Sequence, residues 1–205
     1  MVPRERVLLV LAHPRRGSLT GQVADRFAAT LTGNGYYVEL ADLVAEEFDP
    51  VLRKVDEPDW GNPDKAYSPD VVREMERIRR NDATVMIFPV YWWSMPGIMK
   101  GWVDRVWSNG FAYGARDYPH RRVWLIGVAG SGQREYAKRD YDEAIRVSLS
   151  VGVLEYCGVA EPRLELLHGA LDGPEFPPDI LRRAEALAQE FSRAMARGCE
   201  LDAGD

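Results

Sequence analysis

Val7-Leu8-Leu9-Val10-Leu11 is an unbroken apolar run. A strand with one wet face alternates polar and apolar residues, whereas a run of this kind suits a strand covered on both faces by helices. Ala83 to Val90 and Val123 to Ala129 read the same way, and Tyr36 to Leu43 and Arg163 to His168 supply two more strands. Between them the apolar period changes from strand to helix. Val23, Phe27, Ala28 and Leu31 follow Ser18 at helical spacing, Val71, Met75 and Ile78 form a second apolar stripe, and Ile98, Met99, Trp102, Val103 and Val106 follow Pro96. Further helices are predicted from about Tyr141 to Tyr156 and from Asp179 to Arg197. Strands separated by helices demand right-handed crossovers and a parallel sheet. The expected fold is therefore α/β, a three-layer sandwich around a five-stranded parallel sheet of order 2-1-3-4-5.

The 205 residues and 46% hydrophobic content suit one domain, taken as 1–197, followed by a disordered tail at 198–205. From Val44 to Ser68, Asp49-Pro50, Glu57-Pro58 and Gly61-Asn62-Pro63 interrupt any long element, so an ordered excursion, possible as a lid, is expected there. A formal net charge of -6 argues against nucleic acid as a partner. Cys157 and Cys199 are too few and too far apart for a disulfide framework or a zinc site, which fits a reducing cytoplasm. No stretch approaches the roughly 18 apolar residues of a membrane span. The short run after Arg4 and Arg6 is not followed by a cleavage pattern, so it reads as a strand and membrane insertion is not expected.

In an open parallel sheet, ligands bind outside the carboxyl ends of the strands where the order reverses, here beside strands one and three. Three loops meet that edge. His13-Pro14-Arg15-Arg16-Gly17-Ser18-Leu19-Thr20 combines cations, hydroxyls and a helix start, and reads either as a phosphate cradle or as an ordinary helix capped by Ser18. Pro89-Val90-Tyr91-Trp92-Trp93 offers backbone amides beside an apolar wall, a slot for a planar isoalloxazine or else an aromatic core corner. Ala129-Gly130-Ser131-Gly132 permits close backbone approach, or is a simple turn. Tyr113, Tyr136 and His168 are candidate proton or hydrogen-bond donors, His168 also reading as a structural strand end. His120 reads as part of a surface turn, and the acidic group Asp140, Asp142 and Glu143 as a solvated helix start with no metal.

Phe88 to Gly114 closely resembles the corresponding stretch of the NAD(P)H:quinone oxidoreductases of the flavodoxin-like fold, the DT-diaphorase group and its small bacterial relatives. Pro89-Val90-Tyr91-Trp92-Trp93, Pro96, Lys100-Gly101-Trp102, Asp104-Arg105-Val106 and Phe111-Ala112-Tyr113 fall in that order and spacing. The resemblance implies a homodimer that binds FMN or FAD, takes hydride from NAD(P)H and passes two electrons to a quinone-like acceptor. It implies that His13, Arg15, Ser18, Leu19, Thr20, Pro89, Val90, Tyr91, Trp92, Trp93, Ala129 and Gly130 contact the cofactor. Trp93, Phe111, Tyr113 and Gly130 would then wall the substrate pocket, Phe111 and Tyr113 across the dimer interface, with Tyr113 and Tyr136 as candidate catalytic residues. Two departures stand out: the family's double glycine is Ala129-Gly130, and its tyrosine and histidine pair is displaced, with Tyr136 shifted and Asp142 near the histidine's place. Other members of the wider group serve as ancillary subunits of potassium-efflux systems, and flavodoxins as electron carriers; both remain alternatives.

Overall fold

The computed structural model describes residues 5–171 and 176–202, the side chains of Phe176 and of 198–202 excepted. Strands β1 (Arg6–Leu11), β2 (Tyr37–Asp42), β3 (Ala83–Pro89), β4 (Arg122–Val128) and β5 (Glu161–Leu167) form one sheet, all pairs parallel, in the order β2-β1-β3-β4-β5. The order and the strand positions match the reading of the apolar runs. Helices α1 (Leu19–Gly33) and α6 (Phe176–Asp202) cover one face, and α2 (Pro69–Arg79), α3 (Gly97–Val106), α4 (Gln133–Ala137) and α5 (Tyr141–Ile145) belong to the other side.

Each central strand feeds both layers because side chains alternate across a sheet. On β1, Val7, Leu9 and Leu11 join Val23, Phe27 and Phe191 on the α1/α6 side, while Leu8 and Val10 join Met75, Met99 and Trp102 on the other. All six of these α-helical side chains are buried to within a few percent, which is why the edge that carries the loops has a rigid base.

Three segments depart from the expected elements. Helix α5 continues as a π-helix over Arg146–Glu155, closed by a bond from Tyr156 N to Val151 O at 3.3 Å. Its residues include Val147, Val151, Val153 and Gly152, weak α-helix formers that resist a wider turn less than an alanine-rich run does. The short helix α4 was not expected; five residues are too few for a periodic signal. Helix α6 starts at Phe176, before the expected Asp179, and its backbone continues past Arg197 to Asp202. Residues 203–205 lie outside the described residues.

His120 is a further correction. It is 3% exposed, its Nε2 donating to Ile78 O at 2.8 Å and its Nδ1 lying 2.7 Å from Thr84 Oγ1, which in turn is 2.9 Å from the Tyr118 hydroxyl. A carbonyl can only accept, so Nε2 carries the proton and neutral Nδ1 accepts from Thr84. Burial lowers the His120 pKa from 6.5, the hydrogen bonds to the backbone opposing it. The unfolded chain therefore binds this proton at a higher pH than the folded one, and stability falls as pH drops below about 6.5. Urea unfolding of His120→Asn between pH 5 and 7 is expected to show a flatter pH dependence than the parent, with about 1 kcal/mol lost at pH 7; an unchanged slope refutes the assignment.

Candidate active site

The chain leaves β1 at Leu11 and leaves β3 at Pro89 in opposite lateral directions, so the two following loops part and leave a gap at the sheet's carboxyl edge. A cavity of about 380 Å³ occupies it. From the first loop come His13, Arg15, Ser18, Leu19 and Thr20, from the second Pro89, Val90 and Tyr91, and from the third Gly130. A larger hollow of about 630 Å³ runs along edge strand β5 between Pro162 and His168. It takes residues from one strand edge, from Gln133 of α4 and from α5 with its π-helical continuation, and lacks the converging first and second loops.

The first loop is braced from within. Ser18 Oγ accepts from Gly21 N at 3.1 Å, capping the 15-residue helix α1. Arg16 turns away from the cavity to bond Gly21 O at 3.0 Å and to pair with Asp25. Arg15 is thus the guanidinium that stands at the cavity wall, next to the positive end of the α1 dipole. His13 Nδ1 accepts from Arg15 N at 3.0 Å, which fixes the tautomer with its proton on Nε2. Burial lowers the His13 pKa, so the ring is neutral near pH 7.

In the second loop, Tyr91 N donates to Ser94 O at 3.0 Å and Ser94 N to Tyr91 O at 3.1 Å, closing a two-residue turn. Both central residues are left-handed, Trp92 at φ 52° and Trp93 at φ 54°. Glycine and asparagine favour that region; two adjacent tryptophans there carry strain of order 1–3 kcal/mol each. Val90 N is engaged by Val128 O at 2.9 Å, whereas the Trp92 and Trp93 amides have no backbone acceptor among the described residues. The turn leaves two donors at its tip.

The indoles themselves are placed elsewhere than the resemblance implies. Trp92 is 88% exposed and does not line the cavity; Trp93 lies 4.2 Å from the Tyr141 ring and lines a neighbouring hollow of about 320 Å³ with Ser131, Glu135 and Tyr136. Ala129 is fully buried, its amide bonded to Leu167 O, and also stands back from the cavity. Three residues not singled out from the sequence take part instead: Val128, Ala170 and Leu171. Gly169 N, Ala170 N and Leu171 N bond the carbonyls of Ser131, Ala129 and Gly130, so the loop after β5 is laid onto the loop after β4. An apolar Ala170-Leu171 shortly after a strand, beyond His168-Gly169, was the available signal.

Tyr136 is 6% exposed and meets His168 edge-on with ring centroids 4.8 Å apart; His168 Nε2 is 3.3 Å from Asp142 Oδ1. Burial raises the Tyr136 pKa, with the Asp142 charge adding to it, so the phenol keeps its proton. Phe111 is 4% exposed, with the Arg79 guanidinium over its ring, and is a core residue of this chain. Tyr113 is half-buried beside Tyr156 and Trp60, outside the cavity of the same chain, and burial raises its pKa.

Residues 5–191 match the Flavodoxin_2 family, described as having a flavodoxin-like fold. The chain is 34% identical to the uncharacterized NAD(P)H oxidoreductase YcaK of Escherichia coli, the match covering 83% of this chain and 88% of that one. It is 27% identical to NAD(P)H dehydrogenase (quinone) 1 of Cavia porcellus over 92% of this chain and 75% of that one. Among solved structures, an NAD(P)H:quinone oxidoreductase from Methanothermobacter marburgensis superposes with a TM-score of 0.84 at 28% identity, over 92% of this chain and 97% of that one. With the 2-1-3-4-5 sheet and the loop edge already described, the chain belongs to the flavodoxin-like NAD(P)H:quinone oxidoreductase family.

Proposed function

We infer that this protein is a flavin-dependent NAD(P)H oxidoreductase that reduces quinones or related electrophiles. The observation that carries the reading is the cavity where the β1, β3 and β4 loops converge, lined by cationic, hydroxyl-bearing and apolar residues together. That donor set fits a flavin nucleotide. Arg15 and the start of α1 suit a phosphate, Pro89, Val90 and Leu171 suit the flat faces of a ring, and Gly130 leaves room where a Cβ would meet Leu171 Cδ1 at 3.1 Å.

A flavin, when bound, supplies the hydride acceptor and donor in one group. The chain's part is binding, orientation and exclusion of water. Thr20, Ser18 and Arg15 would hold the phosphate end, the Trp92 and Trp93 amides, left without backbone acceptors by the strained turn, would be donors for ring acceptors, and Gly130 would let backbone approach closely. Tyr136, kept protonated, has a proton to hold or give at the edge of the Trp93 hollow.

The quinone and nicotinamide take turns in one place in this reading, and the protein works as a homodimer in the cytoplasm. Tyr113 supports the dimer: an aromatic residue outside its own chain's cavity, beside the exposed Tyr156 and Trp60, suits a wall lent to a partner's pocket. Among the described residues no helix is long and apolar enough to cross a membrane.

Freshly purified protein is expected to be yellow, to release FMN or FAD on denaturation, and to oxidise NADPH with menadione in parallel-line kinetics. Colourless protein that takes up neither nucleotide overturns the reading.

A further inference from the structure

The excursion 44–68 carries Trp60, whose indole is 69% exposed and whose ring centroid lies 5.4 Å from that of Tyr113. Tyr156, 62% exposed, lies 5.8 Å from Tyr113. An exposed side chain on a long loop ordinarily has no fixed place. Here the loop is interlocked with the segment that bears Tyr113. Asn109 Nδ2 donates to Asp59 O at 2.7 Å, immediately before Trp60. At Gly110, with φ +79°, the backbone of Pro63 sits so close that a Cβ would lie 1.9 Å from Pro63 O. Behind both, buried Asp56 is tied to Arg105 of α3 at 2.8 Å.

Trp60 and Tyr113 are therefore held as one surface by two loops that cannot move independently. Keeping an indole in water forgoes the free energy of burying it, and a fixed aromatic face recovers that when a flat apolar ring is laid against it. We propose that Trp60 is a specificity-determining residue for the electron acceptor: it extends the Tyr113 wall and so favours fused two-ring quinones over single-ring ones. The proposal rests on the reading of Tyr113 as part of the acceptor wall. Tyr113 offers one ring face, and Trp60, the nearer of its two exposed aromatic neighbours at 5.4 Å, offers a second that a fused ring system would reach and a single ring would not. The bonds broken and formed in the acceptor are those of ordinary quinone reduction, unchanged by Trp60, which acts only through contact.

The test compares kcat/KM for menadione and for p-benzoquinone in the flavin-loaded parent, Trp60→Ala and Trp60→Phe, with NADPH as donor. Trp60→Ala is expected to lower the menadione to benzoquinone ratio about five-fold, and Trp60→Phe to restore most of it. An unchanged ratio in Trp60→Ala overturns the proposal, as does an equal fall for both quinones with loss of the dimer on size-exclusion chromatography, which marks Trp60 as a packing residue. A flavin-loaded parent that reduces neither quinone removes the function itself; a parent active on both whose Trp60→Ala variant selects identically removes only the role of Trp60.

Discussion

Asp56→Ala is expected to destabilise the protein by about 3–5 kcal/mol, because it strands a buried guanidinium. Asp56 has no exposed surface and Arg105 is 2% exposed. Arg105 Nη2 lies 2.8 Å from Asp56 Oδ2 and 2.7 Å from Asp70 Oδ2, and its Nη1 donates to Asp49 O at 2.5 Å. Ser68 closes the other side, donating from its amide and its hydroxyl to the two Asp56 oxygens at 2.8 Å each. The cost of one missing partner exceeds the net worth of the pair, since the remaining charge stays desolvated. Asp70 lessens the loss without removing it. It is 35% exposed at the side chain and cannot take the bonds Asp56 makes.

Burial on its own would raise the Asp56 pKa, but the Arg105 and Ser68 hydrogen bonds outweigh it and hold the carboxyl below 3.8. A depressed carboxyl stabilises the fold fully above its unfolded pKa, and that contribution is lost as pH falls below 3.8 toward the folded value. The parent should lose stability in that acid range, and the variant should lose less because the contribution is already gone. Denaturant unfolding at pH 7 and pH 3.5 separates the two effects. A variant within 1 kcal/mol of the parent at pH 7 refutes the clamp. The same clamp corrects the idea of the 44–68 excursion as a lid: a segment fixed at Asp49, Asp56 and Asp59 does not swing freely from the α3 side.

What could be read from the sequence tracks how local each determinant is. β1 and β3 were legible because burial on both faces leaves a continuous apolar run, and five strand-helix units suggest the 2-1-3-4-5 order as a common doubly wound arrangement. The first and second loops were legible as a place, since strand ends at a switch point are where ligands bind. Side-chain direction was not. Trp92 and Trp93 read as ring walls, but a left-handed pair sends one indole into solvent and the other against Tyr141, far along the chain. His120 read as a turn because its neighbours Pro119 and Arg121 are turn-like and exposed; its partners Thr84 and Ile78 come from β3 and α2. Leu171 reaches the cavity only because three backbone bonds lay its loop on the one after β4. The Asp56 and Arg105 pair spans the excursion and α3 and has no spacing by which to find it.

Gly130→Val is expected to weaken flavin binding at least about ten-fold while leaving the fold in place. Gly130 has an ordinary φ, so a β-branched residue brings no backbone strain. A Cβ there meets only the Leu171 side chain, Cδ1 at 3.1 Å and Cγ at 3.6 Å, and that residue is 86% exposed and free to shift. The fold should therefore lose less than about 1 kcal/mol. The cavity has no such tolerance. Gly130 and Leu171 both line it, and its roughly 380 Å³ must take a ring against Val90 and Tyr91 on the opposite wall. Two added methyl groups, with Leu171 pushed toward the same space, occupy volume a planar ligand needs and keep its edge away from the Gly130 amide. Flavin affinity should fall at least about ten-fold, or 1.4 kcal/mol, by titration of apoprotein with FMN and FAD. Gly130→Ala separates close approach from bulk: displacing Leu171 by a few tenths of an ångström should cost only a fraction of that loss. Unchanged flavin affinity in Gly130→Val, with an unchanged melting curve, would place the ring outside this cavity and leave the loop edge without its cofactor.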